Sequence, residues 1–373
     1  MTRIAVVHDW LTTYAGAERV LEQILQLYPQ ADLFSVCDFL PEAERAFLGG
    51  RQPKTTFIQK LPGARRRYRS YLSLMPLAIE QLDLSSYDLV ISSSHAVAKG
   101  VLTGPDQVHV SYVYTPLRYA WDLQHQYLRE SGMTRGLKSW LARYLLHRIR
   151  QWDVRTANGV DVFVTSSSYI ARRIRKAYRR DAIVVPPPVD IDGFAPGPTR
   201  QTYYLTASRL VPYKRVDLIV SAFARMPGRS LKVVGAGPEY ERIAALAAGH
   251  DHIEMLGYQG ADELAALMGE AKAFVFAAEE DFGIAPVEAQ AAGAPVIAYG
   301  RGGARETVVE GRTGLFFEAQ TPESLIAAVE RFELAGVSFS EQACRTHAEQ
   351  FSVGAFRARF AAVVEQAMAA HDA

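Results

Sequence analysis

Residues 279–293 read EEDFGIAPVEAQAAG, and this pattern predicts the end of a buried strand, a glycine turn and the start of a helix. The preceding residues 271–278, AKAFVFAA, are apolar enough for a strand covered on both faces, as parallel sheets require. Gly283 allows the chain to turn. Pro286 suits the first position of a helix, and Gly293 suits the residue just past its end. The pattern therefore predicts a strand, a turn and a helix that begins at Pro286.

The same stretch predicts a phosphate site. Glu288 is expected in the first helical turn, and the backbone amides of Ile284, Ala285 and Val287 are expected at the carboxyl edge of the sheet, where the helix favours an anion. Glu280 stands at the strand end, with seven residues between it and Glu288. Two carboxylates flanking this candidate diphosphate cradle can hold two different hydroxyl-bearing groups. The alternative for Glu288 is that it only caps the helix.

Composition indicates a globular protein of two domains. A chain of 373 residues is longer than one core usually supports, and 49% hydrophobic with 22% charged residues is ordinary for a globular protein. No run of about 18 apolar residues can span a bilayer. The start, MTRIAVVHDW, does not resemble a secretory signal, and Cys37 and Cys344 suggest neither a disulfide framework nor a metal site. These features favour the cytoplasm.

Charge is unevenly distributed along the chain. Residues 1–190 hold 25 Lys and Arg against 17 Asp and Glu, whereas the rest holds 16 against 23. The first half is therefore expected to meet something anionic. We name as the arginine cluster Arg65, Arg66, Arg67 and Arg69, which lie beside Tyr68, Tyr71 and Leu72. The arginine cluster could be a solvated face, or it could bind nucleic acid or anionic lipid. No fold motif supports nucleic-acid binding. We favour a membrane surface with a lipid-linked acceptor.

The order of patterns predicts two doubly wound α/β domains facing a cleft. Residues 3–8 read as a buried strand, followed by a loop with Gly16 and a helix from about Ala17. Because this loop contains one glycine instead of a G-x-G-x-x-G motif, it gives only weak support to the prediction of a dinucleotide site. Five prolines in residues 184–198 predict an interdomain linker at 188–198. The domains are then 1–187 and 199–354.

Two further polar features carry less information. Asp190 and Asp192 form an Asp-x-Asp pair, but the pair lies in the proline-rich connector, so we predict no metal there. His95 follows the strand predicted at residues 87–94, and a single histidine in that position is by default only a satisfied polar residue.

The stretch from Glu280 to Val308 resembles the signature of the retaining glycosyltransferases of family 4, whose fold is called GT-B, and the likeness continues to Gly314. That family carries two glutamates separated by seven residues. The string SRLVPYK, residues 208–214, resembles the family's arginine and lysine pair, which binds phosphate. The resemblance covers essentially the whole chain, and it implies a donor nucleotide in the second domain and an acceptor in the first.

The resemblance also implies a role for each residue. Arg209 and Lys214 neutralise the leaving diphosphate, Glu288 holds the ribose hydroxyls, Glu280 the sugar hydroxyls, and His95 the far side of the sugar. The loop with Gly16 closes over the diphosphate, and Gly283, Ile284 and Ala285 line the cradle. His95 departs from the family pattern, because SSSHAVAKG replaces the usual context. A helix at about 355–373 packs back on the first domain.

The segments VHDWLTTYAGAERVLE and YTPLRYAWDL look most like bacterial polysaccharide mannosyltransferases. GDP-mannose is the implied donor, and a polyprenyl-diphosphate-linked or oligosaccharide acceptor is expected, at the inner face of the cell membrane. No resident cofactor is expected. Arg118 and Asp122 are candidates for acceptor selection. The alternatives are a transferase that uses a UDP-sugar, a sugar-nucleotide epimerase of similar fold, and a non-catalytic binding protein.

Overall fold

The computed structural model describes residues 2–334 and 339–371. These residues form two compact units. Unit 1 consists of residues 2–187 and 357–371, and unit 2 consists of the described residues between 188 and 356. Each unit is built on its own parallel sheet with helices between the strands. This confirms the predicted pair of Rossmann-like α/β units.

Unit 1 contains a seven-stranded sheet, counted over the described residues. Its strands are β1 Ile4–His8, β2 Asp32–Ser35, β3 Lys54–Thr55, β4 Leu89–Ser94, β5 Val108–Val113, β6 Val162–Thr165 and β7 Ile183–Val184. Its helices are α1 Gly16–Leu27, α2 Ala64–Arg67, α3 Met75–Glu80, α4 Gln124–Glu130, α5 Gly136–Thr156 and α6 Ser168–Tyr178. The strand order is β3-β2-β1-β4-β5-β6-β7.

Unit 2 contains a six-stranded parallel sheet within its described residues. Its strands are β8 Tyr204–Ala207, β9 Leu231–Val234, β10 Ile253–Gly257, β11 Ala273–Phe276, β12 Val296–Tyr299 and β13 Gly314–Phe317. The helices are α7 Val216–Phe223, α8 Tyr240–Ala247, α9 Ala261–Glu270, α10 Ile284–Ala291, α11 Ala304–Thr307, α12 Pro322–Leu334, α13 Glu341–Glu349 and α14 Val353–His371, which continues into unit 1. The strand order is β10-β9-β8-β11-β12-β13.

The central strands of unit 2 are buried on both faces, as predicted for residues 271–278. In β11, Val275 belongs to one hydrophobic core, whereas Phe274 and Phe276 belong to the core on the opposite face of the sheet. Neighbouring Tyr204 and Leu205 of β8 divide between the same two cores. Because successive side chains of a strand point to opposite faces, helices must cover both sides of this sheet.

The proline-rich segment at 188–198 packs within unit 2 instead of standing apart as a linker. The amide of Val189 donates to the carbonyl of Phe351 at 2.9 Å, and the amide of Gly197 donates to Gly269 at 3.1 Å. The Arg345 guanidinium donates to the carbonyl of Phe194 at 3.0 Å. Prolines prevent regular structure here, but they leave carbonyls and the remaining amides available for such contacts.

The last helix, α14, contributes its final part to unit 1. The guanidinium of Arg357 donates to the side-chain oxygen of Gln23 on α1, with the Nε atom at 2.8 Å. The ring of Phe360 lies 6.3 Å from that of Tyr112 on β5. Within the described residues, no helix has the length and apolar character needed to cross a membrane.

Candidate active site

In each unit, predicted site residues follow the two strands between which the strand order reverses. In unit 2 these strands are β8 and β11, followed by Arg209 and Glu280. In unit 1 they are β1 and β4, and His95 directly follows β4. In doubly wound sheets, ligands bind at the carboxyl ends of the strands at this switch point. The topology therefore places the predicted residues at the edge where a ligand is expected.

The two predicted phosphate-binding cations occupy the loop between β8 and α7. Lys214 ends a short 3₁₀ turn, and its ammonium forms an ion pair with the Glu280 carboxylate, each side chain being 17% exposed. Arg209 is exposed, and its side chain has no hydrogen bond or ion pair with any described residue. The structure therefore joins one predicted cation to a predicted carboxylate and leaves the other cation facing solvent.

A partly buried side-chain amide connects these two loops. The side-chain nitrogen of Gln320 donates to the carbonyl of Ala277, directly after β11, at 2.8 Å. Its oxygen accepts from the guanidinium of Arg215, the residue after Lys214, at 3.4 Å. Arg215 has a left-handed φ of 55°, which turns the chain sharply into α7. Gln320 thus fixes the loop of Lys214 relative to the end of β11.

The turn before α10 has the predicted glycine, but the helix starts earlier than predicted. Gly283 has a φ of 88° and precedes the first helical residue, Ile284, so that Pro286 is third in the helix instead of first. Ile284 and Ala285 then supply the first two amides, which have no acceptor within the helix. Gly293, with a φ of 77°, follows the helix end as predicted.

The earlier start moves Glu288 into the second turn of α10, where it is 8% exposed. The prediction of a first-turn glutamate was therefore wrong. In a capping box the glutamate occupies the third helical position, which here is Pro286, and α10 has no side-chain cap. Glu288 therefore does not occupy the capping-box position of α10.

A glycine pair supports the backbone of the β11–α10 loop. The amide of Gly303 donates to the carbonyl of Glu280 at 2.7 Å. A Cβ at Gly303 would lie 2.3 Å from the Cα of Phe282, and one at Gly302 would lie 2.4 Å from the Glu280 carbonyl oxygen. Only glycine permits this approach. Gly302 and Gly303, whose roles were not predicted from the sequence, thus hold the loop that carries Glu280.

In unit 1, the main polar feature is the carboxylate of Asp9, which directly follows β1 and is fully buried. One oxygen accepts from the amides of His95 and Ala96 at 2.5 and 2.8 Å, and the other accepts from Val97 and Ala98 at 2.6 and 2.7 Å. Four charge-assisted hydrogen bonds therefore hold the loop after β4. This role of Asp9 was not predicted from the sequence, although an Asp at the end of a buried strand was a usable signal.

His95 is positioned by this loop. Its Nδ1 lies 3.1 Å from an Asp9 oxygen but not in hydrogen-bond geometry, and its ring lies edge-on to Trp10 with centroids 4.5 Å apart. Burial lowers the pKa of His95 below its ordinary value, while the charge of Asp9 acts in the opposite direction. The imidazole is therefore neutral at neutral pH and able to exchange hydrogen bonds with hydroxyl groups.

A second buried network lies beside it. His8 contacts the hydroxyl of Ser93 at 3.0 Å and the carboxylate of Glu18 at 3.4 Å. Glu18 also accepts from the amide of Ala15 at 3.0 Å, at the start of α1. Burial acts to raise the pKa of Glu18, but the hydrogen bond and charge of His8, together with backbone hydrogen bonds at Glu18 and Ala15, leave that pKa lowered. Gly16 is the exposed first residue of α1, so its predicted loop lies next to this network.

The Asp-x-Asp pair behaves as a turn. Asp190 accepts from the amide of Gly193 at 3.2 Å. Across residues 2–334 and 339–371, no group of three or more His, Cys, Asp or Glu side chains is arranged to hold a metal ion. The two residues predicted for acceptor selection lie in different surroundings. Asp122 accepts a hydrogen bond from the guanidinium of Arg173 at 2.7 Å, and Arg118 is partly buried.

Solved structures similar to this chain include glycosyltransferases of the GT-B fold. The chain superposes on HepE of Anabaena in complex with UDP and glucose with a TM-score of 0.70, 17% identity, and coverage of 98% of this chain and 100% of that one. For the sucrose-phosphate synthase of Thermosynechococcus elongatus, the TM-score is 0.72, the identity 17% and the coverage 99% and 100%. At this identity the likeness shows the fold alone.

Residues 189–349 match the family described as glycosyl transferases group 1, so the chain carries a glycosyltransferase group 1 domain. A GDP-mannose-dependent alpha-(1-6)-phosphatidylinositol monomannoside mannosyltransferase of Mycobacterium tuberculosis is 35% identical over 218 residues, 51% of this chain and 55% of that protein. A D-inositol 3-phosphate glycosyltransferase of Geodermatophilus obscurus is 32% identical over 254 residues, 56% and 54%. The chain thus spans about half the length of the curated relatives it matches.

Proposed function

We propose that the protein is a retaining glycosyltransferase that moves a hexose from a nucleotide-sugar to a lipid-linked or glycan acceptor. The observation that carries this proposal is the grouping of Arg209, Lys214 and Glu280 after β8 and β11, together with the first amides of α10, inside a glycosyltransferase group 1 domain. Cations and helix amides suit a diphosphate, and a carboxylate suits sugar hydroxyls.

The proposed chemistry needs the leaving diphosphate to be stabilised. When the bond between the sugar and the phosphate breaks, negative charge grows on the phosphate, and Arg209, Lys214 and the amides of Ile284 and Ala285 are the groups to meet it. In the proposed front-side substitution, the departing phosphate accepts the acceptor's proton. Neutral His95 contributes hydrogen bonds to the sugar. No metal or resident cofactor takes part in this proposal.

The pair of Lys214 and Glu280 has a consequence for donor binding. In the structure, Lys214 and Glu280 form an ion pair in which each neutralises the charge of the other. A bound diphosphate offers Lys214 a doubly charged partner, and the Glu280 carboxylate is then available to sugar hydroxyls. We infer that donor binding exchanges this ion pair for two contacts with the donor.

GDP-mannose is the proposed donor, and surface polysaccharide synthesis is the proposed role. Support comes from the two N-terminal segments and from the mannosyltransferase relative of M. tuberculosis, whose name states that it depends on GDP-mannose. The proposal is tested by measuring GDP release from GDP-mannose with a polyprenyl-diphosphate-linked saccharide and with water alone. Release that requires the saccharide supports transfer, and equal release with water alone would favour hydrolysis or epimerisation.

Among nucleotides, we expect GDP to bind more tightly than UDP or ADP. Calorimetric titration of the three with the same protein preparation measures this preference directly. Because the phosphate groups are common to all three, any difference reports the base pocket. A clear preference for UDP or ADP would replace GDP-mannose while leaving the transferase proposal in place.

The two glutamates are expected to separate in their effects. Glu288→Gln should weaken GDP binding by about tenfold or more, since it removes a charged acceptor for ribose hydroxyls. Glu280→Gln should spare GDP binding and lower turnover, because GDP carries no sugar at that position. Titration calorimetry and initial rates check both variants. If Glu288→Gln bound GDP normally and only lowered the melting temperature, Glu288 would be a packing residue.

The membrane contact proposed from the arginine cluster changes in one respect. All four arginines are exposed, but Tyr68, Tyr71 and Leu72 pack against the core of unit 1 and do not supply the expected apolar contact. The cluster therefore offers charge alone, which salt weakens within a Debye length. We retain it as a peripheral contact with anionic lipid on the cytoplasmic side.

A further inference from the structure

The first half of α5 carries an uncovered apolar face. We name as the α5 stripe Leu137, Trp140, Leu141 and Tyr144, whose exposed fractions are 81%, 64%, 50% and 48%. Their spacing of three, four and seven residues places them on one face of the helix. The rings of Trp140 and Tyr144 are nearly parallel, 5.9 Å apart. Single exposed apolar residues are ordinary, but a contiguous group of four large ones indicates an interaction surface.

The same helix is anchored by other residues, so the stripe is not needed to hold it in place. Ile149 and Asp153 are buried, and Leu146 and Trp152 pack on the core of unit 1. The indole of Trp152 also donates to the carboxylate of Glu80 at 2.7 Å. The second half of α5 therefore fixes the helix, and the first half presents the stripe to solvent.

The charged residues of the segment that carries the stripe are all positive. Residues 131–152 contain five Lys and Arg and no Asp or Glu. Of these, Arg135, Lys138 and Arg148 are exposed. The first turn of α5 has no acidic residue, so the positive end of the helix dipole adds to this potential. A partner for this surface must combine negative charge with an apolar layer.

Among the possible partners, an anionic bilayer meets both requirements. A second copy of the chain would bring the same cations together, and four side chains give less area than a stable dimer interface needs. Nucleic acid would stack on Trp140 and Tyr144 but has no comparable use for the exposed leucines. In a bilayer, Trp and Tyr suit the headgroup level, Leu enters the acyl boundary, and Lys and Arg meet the phosphates.

We propose that the α5 stripe docks unit 1 on the surface of an anionic lipid membrane, with the helix lying in the interface. This extends the proposed function, because a lipid-linked acceptor would then be met at the membrane surface. The α5 stripe supplies the apolar insertion that the arginine cluster lacks. Vesicle binding is measured without donor or acceptor, so loss of binding and loss of sugar transfer are separate results.

The test is co-sedimentation with vesicles of phosphatidylcholine, alone and mixed with phosphatidylglycerol. The wild type is expected to bind the mixed vesicles and to bind phosphatidylcholine weakly. The triple variant Leu137→Ser, Trp140→Ser, Leu141→Ser should lower the partition coefficient by at least about tenfold. Val154→Ser, at an exposed position in the second half of α5, is the matched control and should bind as the wild type does. Thermal melts check that each variant folds.

A second readout does not depend on the triple variant. Trp140 is the one exposed tryptophan among the described residues, so brominated acyl chains should quench its emission on binding. Trp140→Phe should bind with little loss and abolish most of that quenching. Absence of vesicle binding by the wild type, equal binding by the triple variant, or quenching that survives Trp140→Phe would each overturn the proposal. Binding of single-stranded RNA instead of vesicles, or dimerisation that the triple variant abolishes, would assign the stripe to that partner.

Discussion

Replacing Lys214 with alanine is expected to lower turnover by about 10²-fold or more while the fold survives. The substitution removes a cation that stabilises the negative charge developing on the leaving phosphate. The ion pair makes this substitution doubly costly. Without Lys214, the partly buried Glu280 carboxylate has lost its partner and repels the incoming diphosphate. Initial rates over a range of donor concentrations give turnover and donor affinity separately, with circular dichroism as the check on folding.

The effect of Arg209→Ala is a useful comparison. We expect a turnover loss of about 10²-fold here too, but no repulsion from an abandoned carboxylate, since Arg209 has no ion pair with a described residue. Adding Glu280→Gln to Lys214→Ala should restore part of the donor affinity. Near-normal turnover in either folded single variant would contradict the proposal that these cations bind phosphate. If the double variant regained no donor affinity, the proposed exchange of ion-pair partners would be wrong.

Local patterns predicted where some residues of the proposed site lie, because each of these residues is close in sequence to a strand or a turn. The glycine turn and the carboxylate after β11 follow from strand and turn patterns within about one βα unit, whereas the cations after β8 were implied by the resemblance to the family. The start of α10 was wrong by two residues for a physical reason. The first helical amides have no acceptor within the helix, so proline is tolerated at several positions of the first turn and does not mark the first residue.

Long-range contacts could not be predicted in this way. The amides that donate to Asp9 are 86 to 89 residues away in sequence. No residue of the loop after β4 indicates that its amides bind a buried carboxylate. Likewise, Gly303 reaches Glu280 from a different turn. A sequence pattern also does not reveal which side chains are exposed. The sequence predicted a surface group of Tyr68, Tyr71 and Leu72, but these side chains pack inward. Trp140 was predicted only as part of a basic helix, yet its side chain faces solvent.

Asp9→Asn is expected to lower the free energy of unfolding by about 3–5 kcal/mol. This is the loss expected when one partner is removed from a buried charged interaction. An asparagine side chain has one acceptor oxygen, and its amide group would face backbone N–H donors. At least two of the four amides then lose their partner, each at a cost of about 1–3 kcal/mol. Asp88→Asn is the matched control, because Asp88 accepts from the amide of Arg3 at 2.7 Å but is 45% exposed. Its expected loss is below about 1 kcal/mol.

The same substitution should also lower turnover, because the amides of His95 and Ala96 are held by one oxygen of Asp9. Urea denaturation and initial rates of Asp9→Asn, compared with His95→Gln, separate the two consequences. If Asp9 positions the loop, His95→Gln lowers turnover with little loss of stability, whereas Asp9→Asn lowers both. Equal stability of Asp9→Asn and Asp88→Asn would show that the loop after β4 keeps its conformation without the four hydrogen bonds, and the position of His95 would then need another cause.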